Sequence, residues 1–354
     1  MTDLEKLCSR VTEAADCAVI TDDVNRRYFT AMKSSAGTLV VFPEKAYFII
    51  DFRYIEKAKK TVTACEVILQ DKLYEQINSL IEKHGAKTVS VNADTCTLSE
   101  LIAYQQKLNA EVIADTKLAE IIREIRTVKS QEQIEKIIKA QRIAEKGFAH
   151  MLDFIKVGRT EKEIQLELDY YMLKNGAEAL SFDTIALSGS NTSLPHGVPS
   201  DKKVESGEFV LMDFGATYDG WHSDMTRTVC VGKPSDKMKS VYETVLTAQL
   251  SALDAVKAGM PGKALDKIAR DIITEAGYGD NFGHSLGHGV GVEIHESPYA
   301  SPSREDILPE NSIVTVEPGI YLEGKFGVRI EDFVVVTENG CINMTKAPKE
   351  LICL

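Results

Sequence analysis

The 354-residue chain is 44% hydrophobic and 27% charged, a composition typical of a globular protein and not of a long disordered one. Its formal net charge of −12 repels phosphate backbones, and no basic stripe with interleaved aromatic residues offsets that charge, so nucleic acid is not an expected partner. The sequence contains neither a run of about 18 apolar residues nor a signal-peptide layout. We therefore expect a cytoplasmic protein with no membrane role.

Apolar, strand-like runs alternate with polar, helix-like stretches from Cys17 to about Thr116. The runs are GTLVVF at 37–42, AYFIID at 46–51, and then EVILQ, TVSVN and EVIAD. This alternation predicts a small α/β domain. Two helices follow, and Ser130 with Gln133 forms a capping box that starts the second. We place the domain boundary at residue 124, which gives domains at 1–124 and 125–354.

The C-terminal part carries an internally repeated pattern of two helices and a pair of strands. Each strand pair contains two carboxylates, and Asp213 and Asp224 of the first pair match Glu317 and Glu331 of the second at offsets of 104 and 107 residues. The nearly equal offsets predict a duplicated α-α-β-β unit. Such a duplication would bring two carboxylate pairs to one site about a pseudo-twofold axis.

The first strand pair, EFVLMDFGATYDGWHSDMTRTVCV, is predicted to be a β-hairpin that turns at 218–220. In a hairpin with an even-length turn, Asp213 and Asp224 lie on one face, opposite or one diagonal step apart. Two carboxylates so close repel each other unless a cation or a proton intervenes. The alternative is that they are two unrelated aspartates at strand ends.

The second strand pair, SIVTVEPGIYLEGKFGVRIEDFVVV, repeats this arrangement. Glu317 ends an apolar strand before Pro-Gly, and Glu331 lies in an apolar run where an unpaired carboxylate would be unfavourable. A metal ion would satisfy these acids. A structural ion pair with Arg329, two residues before Glu331 on the same strand face, is an alternative that this hairpin by itself favours equally.

Three of the seven histidines, His284, His288 and His295, fall in the glycine-rich segment NFGHSLGHGVGVEIHESP between the two hairpins. Histidine is the usual neutral nitrogen ligand and the side chain best suited to proton transfer near neutral pH. His196 lies in the turn-rich loop LSGSNTSLPHGVPSD, a context typical of surface histidines.

Four carboxylates and one imidazole suit two divalent cations of intermediate hardness, such as Mn²⁺, Co²⁺ or Zn²⁺, whereas Mg²⁺ and Ca²⁺ sites rarely include histidine. Two metals that share carboxylates can activate water, polarise a carbonyl and stabilise a tetrahedral oxyanion. Hydrolysis of an amide or ester is the natural reaction of such a site.

Four ordered segments, FDTIALSGSNTSLPHGVPS, DFGATYDGWHSDMTRT, GHGVGVEIHE and VEPGIYLEGKFGVRIED, resemble the metallopeptidases of the pita-bread fold, in the aminopeptidase P and prolidase branch. The N-terminal part, with IIDFRY and IRTVKSQEQIEKI, is similar to the creatinase-like domain of that branch. The resemblance implies an α+β protein with a C-terminal pita-bread domain preceded by a smaller creatinase-like α/β domain.

The resemblance also implies roles for individual residues. Two metal ions, with Mn²⁺ favoured, would be held by five ligands, and Glu317 would also take the proton of the nucleophilic water. His196 and His295 would contact the substrate carbonyl and the developing tetrahedral centre, while His284 and Arg329 lie at motif positions near the site. The metal ligands implied are Asp213 for one ion, His288 and Glu317 for the other, and Asp224 and Glu331 as bridges.

The resulting expectation is a homodimeric, metal-dependent hydrolase of peptides with proline in second position. We favour an Xaa-Pro aminopeptidase, with an Xaa-Pro dipeptidase (prolidase) as the alternative. A non-catalytic pita-bread binding module is a remote third possibility, because such a protein would be expected to lose ligands, and all five ligand types are intact here.

Overall fold

The computed structural model describes residues 1–354 and separates into two units, Met1–Arg126 and Thr127–Leu354. None of its helices is both long enough and apolar enough to cross a membrane.

The N-terminal unit is built on one six-stranded sheet, and all five strands predicted from apolar runs are present. The strand order is β4-β3-β2-β1-β5-β6, with β2 antiparallel to both of its neighbours and the other pairs parallel. The strands are β1 (Cys17–Ile20), β2 (Thr38–Val41), β3 (Ala46–Ile50), β4 (Glu66–Leu69), β5 (Thr88–Val91) and β6 (Glu111–Ile113).

Helices cover both faces of this sheet. One face packs against α1 (Asp3–Arg10), α2 (Asp23–Thr30), α3 (Ile55–Thr61) and α6 (Lys117–Thr127), and the other against α4 (Leu73–His84) and α5 (Leu98–Lys107). Successive strand residues point to opposite faces, so in β1 Ala18 and Ile20 join the first apolar layer while Cys17 and Val19 join the second. Burial on both faces explains why the central strands are continuous apolar runs.

The C-terminal unit contains four α-helices, two short 3₁₀ helices and thirteen strands. The α-helices are α7 (Gln131–Phe154), α8 (Glu161–Lys174), α9 (Asp236–Ala255) and α10 (Gly262–Glu275). The strands are β7 (Ala179–Leu180), β8 (Ile185–Ser188), β9 (Glu208–Phe214), β10 (Ala216–Tyr218), β11 (Trp221–His222), β12 (Met225–Val231), β13 (Gly287–Gly289), β14 (Glu296–Ala300), β15 (Ile313–Val316), β16 (Gly319–Leu322), β17 (Phe326–Arg329), β18 (Asp332–Thr337) and β19 (Gly340–Asn343).

This unit repeats one arrangement of two helices and an antiparallel sheet. Helices α7 and α8 pack on β8, β9 and β12, and helices α9 and α10 pack on β15 and β18. Ser130 and Gln133 form the predicted capping box of α7, and Ser235 caps α9 at the equivalent position. The predicted duplication of an α-α-β-β unit is therefore confirmed.

Gly215, between β9 and β10, allows two chain segments to approach closely beside Asp213. A Cβ atom at this position would lie 1.9 Å from the backbone oxygen of Ser223. Because Ser223 precedes Asp224, this close approach helps to place the two aspartates of the first hairpin together.

We predict that Gly215→Ala lowers the free energy of unfolding by about 1–3 kcal/mol, because backbone atoms would have to shift to accept the methyl group. Gly283→Ala is the matched control, since a Cβ there meets no atom within 4 Å. Denaturant unfolding of both variants tests the prediction, and equal midpoints would contradict it.

Candidate metal centre

All nine site residues predicted from the sequence line a single cavity of about 470 Å³ in the C-terminal unit. Its size falls in the usual range for pockets that bind small molecules. Phe182, Ile185, Ile294 and Tyr299 add apolar surface to its wall. The nine predicted residues are His196, Asp213, Asp224, His284, His288, His295, Glu317, Arg329 and Glu331.

The first hairpin has the register that the sequence predicted. Asp213 on β9 lies opposite Thr226 on β12, and Asp224 is two residues before Thr226. Both carboxylates are therefore on the same face, one diagonal step apart.

The second hairpin presents its two glutamates from directly opposed positions. Val316 on β15 pairs with Asp332 on β18, so Glu317 and Glu331 face each other just beyond the end of that ladder. The two hairpins meet at Thr226, whose hydroxyl donates to a Glu331 carboxylate oxygen at 2.8 Å and whose carbonyl accepts from the Glu331 N–H at 3.2 Å. The duplication thus joins its two carboxylate pairs at one site.

Asp224, His288 and Glu331 form the tightest group of potential metal ligands. Each offers one ligand atom within 4.8 Å of the others. His288 Nε2 lies 3.6 Å from an Asp224 oxygen and 3.4 Å from a Glu317 oxygen. His288 Nδ1 donates to the Gly289 carbonyl at 3.1 Å, which leaves Nε2 as the acceptor that faces the carboxylates.

Burial dominates the electrostatics of this group. It raises the pKa of Glu317 to about 8 and raises the pKa values of Asp224 and Glu331 well above their ordinary range, with the neighbouring carboxylates adding to the effect. Burial lowers the pKa of His288 to about 3, so its imidazole is neutral at physiological pH and available as a ligand.

The donor set fits divalent cations. One carboxylate oxygen of Asp213 and one of Glu331 are buried without a hydrogen-bond partner, although buried oxygens of this kind normally have one. A cation bound among these oxygens would satisfy both and would remove the repulsion that raises the neighbouring pKa values. Two carboxylate pairs and a neutral imidazole are ligands that suit Mn²⁺, Co²⁺ or Zn²⁺.

Arg329 takes part in a partly buried ion pair, but its partner belongs to the other hairpin. Its guanidinium donates to an Asp213 oxygen at 2.5 Å, and it also donates to the hydroxyls of Thr226 at 3.0 Å and Tyr321 at 2.8 Å. The sequence suggested an ion pair between Arg329 and a glutamate of its own hairpin. The structure instead pairs Arg329 with Asp213, in the other half of the unit. It neutralises one of the four carboxylates.

Tyr321 is a site residue that the sequence analysis missed. Its buried hydroxyl accepts from Arg329 and hydrogen-bonds His284 Nε2 at 2.9 Å, and burial raises its pKa to about 12. Burial and the charge of Arg329 lower the pKa of His284 to about 4. Tyr321 lies four residues after Glu317, on β16, which pairs with the strand of Arg329. This spacing was the sequence signal that could have identified Tyr321 as a neighbour of the site.

A second missed contact supports the segment that carries His295. Glu296, the next residue, is 7% exposed, and one of its oxygens accepts from Lys129 Nζ at 2.6 Å. Lys129 itself is 3% exposed. Nothing in the local sequence IRTVKS indicates that this lysine is buried, because its partner lies 167 residues away.

The duplicated fold and the buried carboxylate and imidazole donors define a metal-dependent hydrolase. The family pattern of metallopeptidase family M24 matches residues 135–338, and that of the creatinase/prolidase N-terminal domain matches residues 4–128. The chain belongs to metallopeptidase family M24. The predicted pita-bread domain with a preceding creatinase-like domain is confirmed, as is the prediction of a metal-dependent peptidase.

Relatives and solved structures match the full length of the chain. It is 40% identical to an Xaa-Pro dipeptidase of Pyrococcus furiosus over 352 residues, which cover 99% of each protein. The structure of an Xaa-Pro dipeptidase from Bacillus anthracis is similar with a TM-score of 0.96 and 42% identity, covering 99% of both chains. That of an X-Pro aminopeptidase from Thermotoga maritima has a TM-score of 0.91 and 39% identity, covering 96% of this chain and 98% of the other.

We predict that added Mn²⁺ raises the melting temperature of metal-free protein by at least about 3 °C more at pH 8 than at pH 5. The raised pKa of Glu317 means that the folded protein binds its proton more tightly than the unfolded chain does. That contribution to stability is present below about pH 4.5 and is lost as the pH rises towards 8, where a cation can replace the proton. Thermal unfolding of chelator-treated protein measures the effect, and an equal gain at both pH values would contradict it.

Proposed function

We propose that this peptidase is a dinuclear Xaa-Pro dipeptidase, a prolidase. The observation that supports this choice is full-length similarity, at 40% and 42% identity, to two proteins named Xaa-Pro dipeptidase. The sequence analysis favoured an Xaa-Pro aminopeptidase, and these relatives favour its alternative instead.

The assignment of two metal ions rests on charge. Four carboxylates converge on the cavity, and Arg329 pairs with only one of them, so a single divalent ion would leave negative charge uncompensated in a buried site. We assign Asp213 to one ion, His288 and Glu317 to the other, and Asp224 and Glu331 to both. When bound, the two ions would polarise the scissile carbonyl and activate a water molecule. Mn²⁺ is our first choice.

Glu317 is the proposed proton acceptor. It lies at the cavity wall, where its raised pKa in the metal-free protein shows how strongly burial favours the protonated form. The Thr315 hydroxyl donates to the carboxylate at 3.3 Å and fixes its orientation. A carboxylate held in this way can take a proton from the attacking water.

His196 and His295 are the proposed substrate contacts. Both side chains line the cavity and are exposed, so their ring nitrogens are accessible to a bound peptide. The Xaa-Pro bond is a tertiary amide without an N–H group, and general peptidases that bind that N–H position it poorly. In this site the enzyme needs to bind only the carbonyl of the Xaa-Pro bond and to protonate its leaving nitrogen, and these two histidines can do both.

An Xaa-Pro aminopeptidase is the second candidate, supported by the similarity to the Thermotoga maritima enzyme. The two activities differ in whether the site accepts chain beyond the proline, and product analysis separates them. For either activity we propose a homodimer, since twofold association is the commonest oligomeric state.

We predict that the Mn²⁺-loaded enzyme cleaves Ala-Pro rapidly, cleaves Ala-Pro-Ala at least about 100-fold more slowly, and leaves Ala-Ala-Ala and N-acetyl-Ala-Pro intact. Mass spectrometry of the products provides the test. Rapid release of alanine from Ala-Pro-Ala would replace the dipeptidase by the aminopeptidase. Equal cleavage of Ala-Ala-Ala would remove the preference for proline altogether.

We predict that His295→Ala lowers kcat by about two to four orders of magnitude with normal metal content, because this residue acts on the transition state. His288→Ala is the matched variant and should lose metal as well as activity, because it removes a ligand. Elemental analysis alongside kinetics distinguishes the two. The same loss of metal in both variants would refute the proposed division of roles.

A further inference from the structure

Glu161 is a buried carboxylate outside the cavity. It is the first residue of α8, next to the capping threonine Thr160, and is 0% exposed. The segment that it contacts runs from Ser188 at the end of β8, through a 3₁₀ helix at Gly189–Ser193, to Ser200. We call residues 188–200 the His196 loop, because it carries that histidine into the cavity.

Each oxygen of Glu161 holds one end of the His196 loop. Oε1 accepts from the Ser188 N–H at 2.7 Å and the Ser188 hydroxyl at 3.2 Å. Oε2 accepts from the Ser200 N–H at 3.0 Å and the Ser200 hydroxyl at 2.6 Å. The Asn191 side-chain amide donates to both oxygens, at 3.0 and 3.2 Å. One carboxylate therefore closes a thirteen-residue loop.

The carboxylate is held by neutral donors and by its position in the helix. All of the hydrogen-bond partners named above are N–H or O–H groups without formal charge, and the N-terminus of α8 adds the favourable end of a helix dipole. Hydrogen bonds to an ionised acceptor are about twice as strong as those between neutral groups. Six hydrogen bonds from neutral donors therefore converge on this one carboxylate and connect it to both ends of the loop.

The far side of the loop is attached to the hairpin that contributes Arg329. The Thr192 hydroxyl accepts from the Gly327 N–H at 2.8 Å, and the Pro195 carbonyl accepts from the Arg329 guanidinium at 3.5 Å. His196 follows Pro195 directly. Hydrogen bonds thus hold the loop at its two ends, through Glu161, and in its middle, through the second hairpin.

We propose that Glu161 is a positioning residue for His196, which it holds at the substrate carbonyl by closing the loop. This inference rests on the proposed function of His196. Glu161 does not touch the cavity, so it acts on the reaction only through the loop.

The test is a double-mutant cycle between Glu161→Gln and His196→Ala in the Mn²⁺-loaded enzyme, with kcat/KM for Ala-Pro as the readout. Glutamine keeps the shape of the side chain, but its NH₂ group must face the backbone N–H of either Ser188 or Ser200. Because a backbone N–H cannot act as an acceptor, that hydrogen bond is lost and one end of the loop is released. We expect a fall of about ten- to hundredfold in the wild-type background, as for a misplacement of about 1 Å. In the His196→Ala background we expect a change of less than about twofold.

Glu163→Gln is the matched control. Glu163 lies two residues further along the same helix and forms its capping box with Thr160. Glutamine preserves that box, so kcat/KM should stay within about twofold of wild type. Asn191→Ala is a milder second variant, in case Glu161→Gln does not fold, and it should show the same dependence on His196.

The outcomes separate this inference from the proposed function. If Glu161→Gln or Asn191→Ala lowers kcat/KM by the same factor with and without His196, Glu161 has only a structural role and the inference is overturned. If His196→Ala has no effect on kcat/KM, the proposed role of His196 fails and the inference fails with it. Strong coupling with unchanged metal content supports both.

Discussion

Mutual repulsion among four closely spaced carboxylates is the constraint on which the rest of the C-terminal unit depends. Asp213, Asp224, Glu317 and Glu331 converge on one cavity, and burial together with their neighbours raises the pKa values of the last three. Arg329 compensates one charge through Asp213. Bound divalent cations would compensate the remainder, so folding of the site and metal binding are linked through the same charges.

The internal duplication explains how such a site can be assembled. One hairpin places two carboxylates on one face but has no second pair to complete a ligand set. A second copy of the same unit supplies that pair, and the contacts between Thr226 and Glu331 hold the two hairpins together. His288 comes from the segment between α10 and β15 of the second half, where glycines on either side of it allow its imidazole to approach the carboxylates.

The two segments that carry the exposed histidines are secured in similar ways. Each segment is held by a buried carboxylate. Glu161 binds both ends of the His196 loop, and Glu296 directly follows His295 in the chain. Glu161 binds neutral donors, whereas Glu296 binds the ammonium group of Lys129. A flexible loop would lose configurational entropy whenever substrate was bound, and anchoring it in advance reduces that cost.

The sequence by itself determined the features that depend on local geometry. Strand periodicity located the sheet of the N-terminal unit, and the capping box at Ser130 located α7. The even-length turn placed Asp213 and Asp224 on one face. These features are predictable because hydrogen bonding and side-chain direction repeat over a few residues. All nine residues that the motifs singled out line the cavity. Only the tertiary structure decided the partners of buried charges. Arg329 binds Asp213, 116 residues away, and Lys129 binds Glu296, 167 residues away, because packing of distant segments sets these contacts and local sequence does not.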